Sequence, residues 1–179
     1  MLRITIPSIE MYDEEKNEFI YEPECTLMLE HSLVSISKWE SKWHKAFLGK
    51  QEKSREETLD YIRCMALTEY DPAIFERLSE ENIIQIDEYI SNPMTATTIT
   101  GEPKGKNNSE VVTSELIYYW MIALGIPPEY QRWHLNRLLT LVRVCNVKNS
   151  PPSKMSKRDI MAQNKALNAA RRKQLNSKG

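Results

Sequence analysis

The side chains best suited to metal binding or nucleophilic catalysis are histidines and cysteines, and here they lie far apart along the chain. They are His31, His44, His134, Cys25, Cys64 and Cys145. None of the histidines has a cysteine, a histidine or an acid at the spacing of a zinc site. Cys25 and His31 come nearest to such a pair, and chance explains that spacing more simply. The sequence therefore gives no reason to predict a metal centre.

Acid–base and phosphate chemistry are equally unsupported. The 25 acidic residues fall where helix starts and solvated faces favour them, so no pair stands out as acid and base. His134 lies on the predicted inner face of its helix, where a hydrogen-bonded core histidine is the more common arrangement. The five glycines form neither GxGxxG nor GxxxxGK[ST]. We therefore expect a binding or assembly protein rather than an enzyme, with no catalytic residue, cofactor or metal.

The charge is distributed unevenly along the chain. Residues 148–179 carry nine Lys/Arg and one acid, whereas the remaining residues carry 15 Lys/Arg and 24 acids. A basic tail of +8 thus follows an acidic body of −9, an asymmetry that indicates interaction with a partner. We expect residues 1–147 to form a mainly helical domain with N-terminal strands. Residues 148–179 would form a basic linker and an exposed C-terminal helix.

The compartment follows from what the sequence lacks. No run of 18 apolar residues predicts a membrane span, and the N-terminus lacks the apolar segment of a secretory signal. Three widely spaced cysteines do not suggest a disulfide framework. These features predict a protein of the reducing cytoplasm.

The densest apolar run, residues 118–145, predicts two helices near 113–125 and 128–146. Residues 116–124 are apolar almost all the way round, so we expect that helix at the centre of the fold. Gly125 suits a left-handed C-cap, and Pro127 and Pro128 end one helix and begin the next. The predicted fold is mainly α, of α+β type, with a helical bundle around this central helical hairpin.

Strands are predicted at two places. Alternating β-branched residues at 2–7, 18–21 and 26–30 predict a small N-terminal antiparallel sheet. The run MTATTIT at 94–100 is too β-branched for a helix, and with residues near 110–112 it predicts a β-hairpin over 95–112 or an exposed arm.

Two tryptophans share one face of a predicted helix over 32–48. Trp39 and Trp43 follow Ile36 at helical spacing, with Phe47 one turn later. Core packing is the simpler interpretation, and anchoring of a partner is the alternative, since tryptophan is common at binding hot spots. Downstream, a capping box over 54–57 and a cap at Ser79 predict two further helix starts.

Four stretches carry a resemblance to a known family. In order they are LEHSLVSISKWESKWHKAFL, SREETLDYIRCM, EYISNPMTATTIT and SELIYYWMIALGIPPEYQRWHLNRLLTLVRVCN. Together they resemble the tail assembly chaperones of long-tailed, siphovirus-type bacteriophages. The similarity covers most of residues 26–146 and continues loosely into the tail. The most specific elements are SKWE at 37–40, MTAT at 94–97 and WHLNRL at 133–138.

The resemblance implies a role in virion morphogenesis. Chaperones of this family bind the tape-measure protein in the host cytoplasm, keep its long helical chain soluble, help to recruit tail-tube subunits and leave before the virion is complete. The family often makes a longer product by translational frameshifting. Arg171, Arg172 and Lys173 would then lie near the junction.

The residues expected to contact partners follow from this implied role. We expect an exposed part of the face formed by Trp39 and Trp43, together with the arm residues Met94, Thr95 and Thr97, to shield apolar stripes of the tape-measure protein. The basic residues Arg171, Arg172 and Lys173 are further candidates. The tail could also contact the acidic bodies of sister subunits and so support self-association.

Two other classes of function remain open. A structural protein of the tail or of the head–tail connector would stay in the virion, whereas a chaperone would be absent from it. Nucleic-acid binding through the +8 tail is disfavoured because the tail lacks aromatic residues for stacking and the acidic body would repel phosphates.

Overall fold

The structure, a computed structural model, describes residues 1–13, 17–98, 111–149 and 157–175. Contacts divide the chain into two compact units, Met1–Val147 and Lys148–Gly179. The strands are β1 (Leu2–Ile6), β2 (Ile9–Asp13), β3 (Glu18–Glu22) and β4 (Cys25–Leu29). The helices are α1 (Leu33–Trp43), α2 (Arg55–Met65), α3 (Glu80–Ser91), α4 (Ser114–Ala123), α5 (Leu135–Asn149) and α6 (Lys157–Leu175). Two 3-10 helices span Pro72–Arg77 and Pro128–Arg132. The predicted mainly helical fold with a small antiparallel strand set is confirmed.

The four strands form one long hairpin in two parts. β1 pairs with β4 and β2 pairs with β3, and both antiparallel pairs keep the same register. Pro7 and Pro23 lie at the interruption between them, where neither can donate a backbone N–H to the ladder. The strand predicted at 2–7 ends at Pro7, and β2 was not predicted.

The inner part of this hairpin is the floor of the core. Ile4 and Ile6 of β1 and Leu27 and Leu29 of β4 are all buried. The N–H of Leu67 donates to the carbonyl of Met28 at 2.9 Å, so β4 is joined to the end of α2. This linkage stabilises the small sheet, because two paired strands alone are only marginally stable in water.

The centre of the helical layer is α1. It packs against α2, α4 and the second 3-10 helix, and it buries Leu33, Ile36 and Trp39. α4 lies differently from the expectation, since it buries Ile117 and Met121 but leaves Ile122 79% exposed. Although α4 has almost no polar face, neighbouring elements therefore do not cover it on all sides.

The local signals at helix ends are confirmed. Ser54 and Glu57 form the predicted capping box, and Ser79 caps α3 by accepting from the N–H of Asn82. Gly125 has φ 65°, the left-handed conformation that glycine adopts at little cost. The helix predicted over 128–146 is instead a 3-10 helix and then α5, with Trp133 and His134 between them.

The β-hairpin predicted over 95–112 is not seen where it can be checked. Residues 92–98 and 111–113 have no regular secondary structure, and the rest of that prediction lies outside the described residues. The helix predicted over 32–48 ends at Trp43, because His44 takes a left-handed conformation with φ 52°. Across the described parts of the chain, no helix has both the length and the hydropathy needed to cross a membrane.

Candidate partner-binding surfaces

A buried polar cluster brings together two of the three histidines. The Nδ1 atom of His31 is 2.5 Å from the hydroxyl of Tyr61, and the rings of His31 and His134 lie 5.1 Å apart between centroids. The Nε2–H of His134 donates to the carbonyl of Tyr89 at 3.0 Å, and its Nδ1 accepts from the N–H of Asn136. Both rings are therefore held in a neutral hydrogen-bonded arrangement.

Burial sets the charge state of this cluster. Desolvation, with the neighbouring His134, lowers the pKa of His31 to about 3, and desolvation also lowers the pKa of His134. The two side chains are 2% and 6% exposed, so neither can meet a dissolved substrate. The cluster joins the start of α1 to α2, α3 and α5, and the prediction of a hydrogen-bonded core histidine at position 134 is confirmed.

The structure removes Trp39 from the predicted partner surface. Its side chain is 1% exposed, and its indole N–H donates to the carbonyl of Glu57 at 2.8 Å. Trp43 is half-buried, stacks on Trp39 and donates to the Asp60 carboxylate at 2.8 Å. Because α2 covers this face of α1, the tryptophans hold two helices together.

Two of the three elements that carry the family resemblance likewise hold the fold together. Within SKWE, Glu40 is buried, and its carboxylate accepts from the N–H groups of Phe47 and Ser114, each at 2.7 Å. Within WHLNRL, the Asn136 amide donates to the carbonyls of Ile90 and Asn92 at 2.9 and 2.8 Å. Sequence reasoning missed these roles because the partner groups lie far away along the chain.

The third element, MTAT, leaves the body where Asn136 holds the end of α3. Met94 is 38% exposed with φ 49°, and its N–H donates to the Asn92 side chain at 2.8 Å. Thr95 is half-buried and Thr97 is exposed. In the described ranges, no hydrogen bond or ring contact joins 94–97 to Trp39 or Trp43.

The basic candidates lie in α6 of the second unit. The side chains of Arg171 and Arg172 are exposed, and Lys173 belongs to the same helix. These positions belong to Lys148–Gly179, whereas the tryptophans and the MTAT segment belong to Met1–Val147.

A groove that the sequence did not indicate lies between α2, the first 3-10 helix and α3. Its volume is about 1030 Å³. The apolar residues that line it are Leu59, Phe75, Leu78, Ile83 and Ile84. The charged residues that line it carry both signs and are Lys53, Arg55, Glu76 and Glu80. Ile84 is 57% exposed, which is a large fraction for an isoleucine beside an apolar groove.

The outer part of the β-hairpin, β2 with β3, is a second such surface, which we call the distal hairpin. Five of its large apolar residues are exposed, namely Ile9, Met11, Tyr12, Phe19 and Tyr21. Clusters of this kind on a small domain mark interaction sites more often than isolated apolar residues do.

Neither a ligand set nor a known relative adds to this geometry. Within the described parts of the chain, no group of three or more His, Cys, Asp or Glu residues is placed to hold a metal ion. Comparison with protein-family models, curated proteins and solved structures gives no match.

Proposed function

We propose that this protein is a bacteriophage tail assembly chaperone. It would bind the tape-measure protein in the host cytoplasm, keep that chain soluble and help to recruit tail-tube subunits during tail morphogenesis. The resemblance over most of residues 26–146 supports the family. The groove between α2, the first 3-10 helix and α3 is the single observation that supports the binding role.

The groove suits a helical partner of the kind that the resemblance implies. An amphipathic helix places apolar anchors at i, i+3 or i+4 and i+7 into an apolar channel and keeps its polar face outward. A volume of about 1030 Å³ accommodates roughly two turns of a helix about 10 Å across. The apolar lining residues Leu59, Phe75 and Ile83 supply aliphatic and aromatic contacts. The charged lining residues can pair with flanking polar residues of the partner.

Replacing Ile84 by Asp tests this assignment. The side chain is already exposed, so the fold should be kept, while a carboxylate at the groove would disfavour an apolar stripe. Loss of about 1.5–3 kcal/mol of apolar burial weakens binding about 10- to 100-fold. Co-purification with co-expressed tape-measure protein, followed by calorimetry with its fragments, measures the effect.

Ile122→Asp is the matched control. Ile122 lies on α4 and is 79% exposed, so it is equally apolar but outside the groove lining. Binding that survives Ile122→Asp and fails with Ile84→Asp supports the groove. The reverse result would move the site to α4 and contradict the groove assignment.

Mass spectrometry of purified virions separates the chaperone from a structural protein. A chaperone should be absent from mature particles, whereas recovery in stoichiometric amounts would favour the tail or connector alternative. Soluble yield of the tape-measure protein with and without this chain supplies the complementary measurement.

A further inference from the structure

The distal hairpin is open on both faces. Tyr12 opposes Phe19 in the ladder, with ring centroids 5.0 Å apart, and Tyr21 follows on the same side. Ile9 and Met11 lie on the opposite side. In the described residues no third strand pairs with β2 or β3. A two-stranded ribbon of this kind is marginally stable in water, so its exposed apolar residues favour a covering partner.

The hairpin region is also strongly acidic. Residues 8–24 contain seven acids and one lysine in the sequence. At its base, Arg77 pairs with Glu22 at 2.7 Å and donates to the carbonyl of Pro7. Glu10 is exposed on the aromatic face, where it opposes Tyr21, whereas Glu18 is exposed on the other face. A partner that covers this surface should therefore combine apolar residues with positive charge.

Helix α6 has that combination. Its exposed large apolar side chains are Ile160, Met161, Leu167 and Leu175. At about 100° per residue these four fall within a sector of about 120°. Arg171, Asn164 and Asn168 also lie within that sector, and Arg172 and Lys165 lie about 20° and about 40° beyond its edge. Helices in proteins owe most of their stability to packing of an amphipathic face, and here each side chain that the structure describes is exposed.

We propose that α6 of one copy binds the distal hairpin of a second copy. The apolar side chains of the helix would cover Tyr12, Phe19 and Tyr21, and its flanking cations would pair with Glu10. The two surfaces match in their exposed apolar side chains and in their opposite charge. Reciprocal exchange between two copies gives a closed dimer with two equal interfaces. This inference does not depend on the tape-measure proposal.

Charge exchange between copies provides the test. The hairpin variant carries Glu10→Lys, and the helix variant carries Lys165→Glu and Arg172→Glu. Each variant alone would face like charge at both interfaces and should sediment as a monomer at concentrations where the wild type is a dimer. Mixed one to one, the two variants should recover the dimer, because every interface then joins opposite charges.

A control pair, Glu52→Lys with Glu69→Lys, reverses two exposed acids elsewhere on the body. It should leave wild-type association unchanged, and circular dichroism should show the same helix content in all variants. Association of the wild type should also weaken as salt rises, since exposed charges are screened.

Carbodiimide cross-linking of mixed ¹⁴N- and ¹⁵N-labelled wild-type chains identifies the partner. Cross-links between Lys165 and Glu10 should join light chains to heavy chains. Links within one label only would place the helix on its own chain and overturn the proposal. So would a wild type that stays monomeric at all concentrations, or variants that fail to complement each other.

Discussion

His31 and His134 show how single residues set the pH range of this fold. Both rings are buried and hydrogen-bonded in neutral form, and burial lowers the pKa of each. In the unfolded chain each histidine would titrate near its usual pKa of about 6.5. Between that pH and about 3, the unfolded chain therefore binds a proton at His31 that the folded chain does not.

Stability should consequently fall as the pH drops below about 6.5. The expected loss for one such histidine approaches about 1.4 kcal/mol for each pH unit. Urea unfolding at pH 7.5, 6.5 and 5.5 measures the free energy of unfolding. The loss caused by the histidine should be seen at pH 5.5 and be absent at pH 7.5. His44→Asn is the control, because His44 is exposed and asparagine tolerates its left-handed conformation. A flat profile for the wild type would contradict the assignment of neutral buried rings.

Glu40 is a second residue that stabilises the fold through contacts outside its own helix. It accepts from backbone N–H groups after α1 and at the start of α4, so one carboxylate joins two elements. No sequence rule selects this glutamate from the 25 acids of the chain, because its Ser114 partner lies 74 positions away.

Glu40→Ala should destabilise the protein strongly. It leaves two backbone donors without their acceptor, and each unsatisfied buried donor costs about 1–3 kcal/mol. Thermal or urea unfolding measures the loss, and Glu56→Ala, on the exposed side of α2, is the matched control. Equal stability of the two variants would show that the carboxylate of Glu40 is replaceable by water.

Among the helices and strands, the sequence predicts local features such as helix caps, but it does not predict which elements pack together. The caps at Ser54, Ser79 and Gly125 are short-range chemistry, and the sequence predicted each of them. The placement of α4 depends on which neighbours cover it, and periodicity carries no such information. The same limit explains why Trp39 could be read either as core or as an anchor.

The candidate surfaces were harder to predict than the fold. The groove forms from α2, the first 3-10 helix and α3, and each supplies apolar residues that look like ordinary core positions in the sequence. The predicted strand at 18–21 matches β3, but β2 was not predicted because Pro7 ends the first predicted strand. Of the predicted contact residues, Met94 and Thr97 are exposed, Thr95 is half-buried and Trp39 is buried.

At the scale of the whole molecule, the apolar core of the described residues lies in the first unit. Its buried residues extend from Ile4 to Val142, and none lies in Lys148–Gly179. The folding free energy from apolar burial therefore comes from residues before α6.

Truncation after Asn149 should accordingly leave the body folded. At concentrations low enough to avoid association, its thermal midpoint should match that of the full chain within about 2 °C, since the truncation removes none of the described core residues. Calorimetry at matched low concentration provides the measurement, and a cooperative transition of unchanged width is the expected control. Loss of cooperative unfolding would show that the tail completes the core.

The paired prolines of the long hairpin have a consequence for how such a protein can change over time. Because Pro7 and Pro23 interrupt the ladder, amide groups beyond them can exchange with solvent without opening the inner strands. Substitutions at 9–13 and 18–21 are therefore separated from the packing of β1 and β4, whereas Glu22 stays paired with Arg77. These positions of the distal hairpin can diversify and acquire new binding preferences while the inner strands keep their packing.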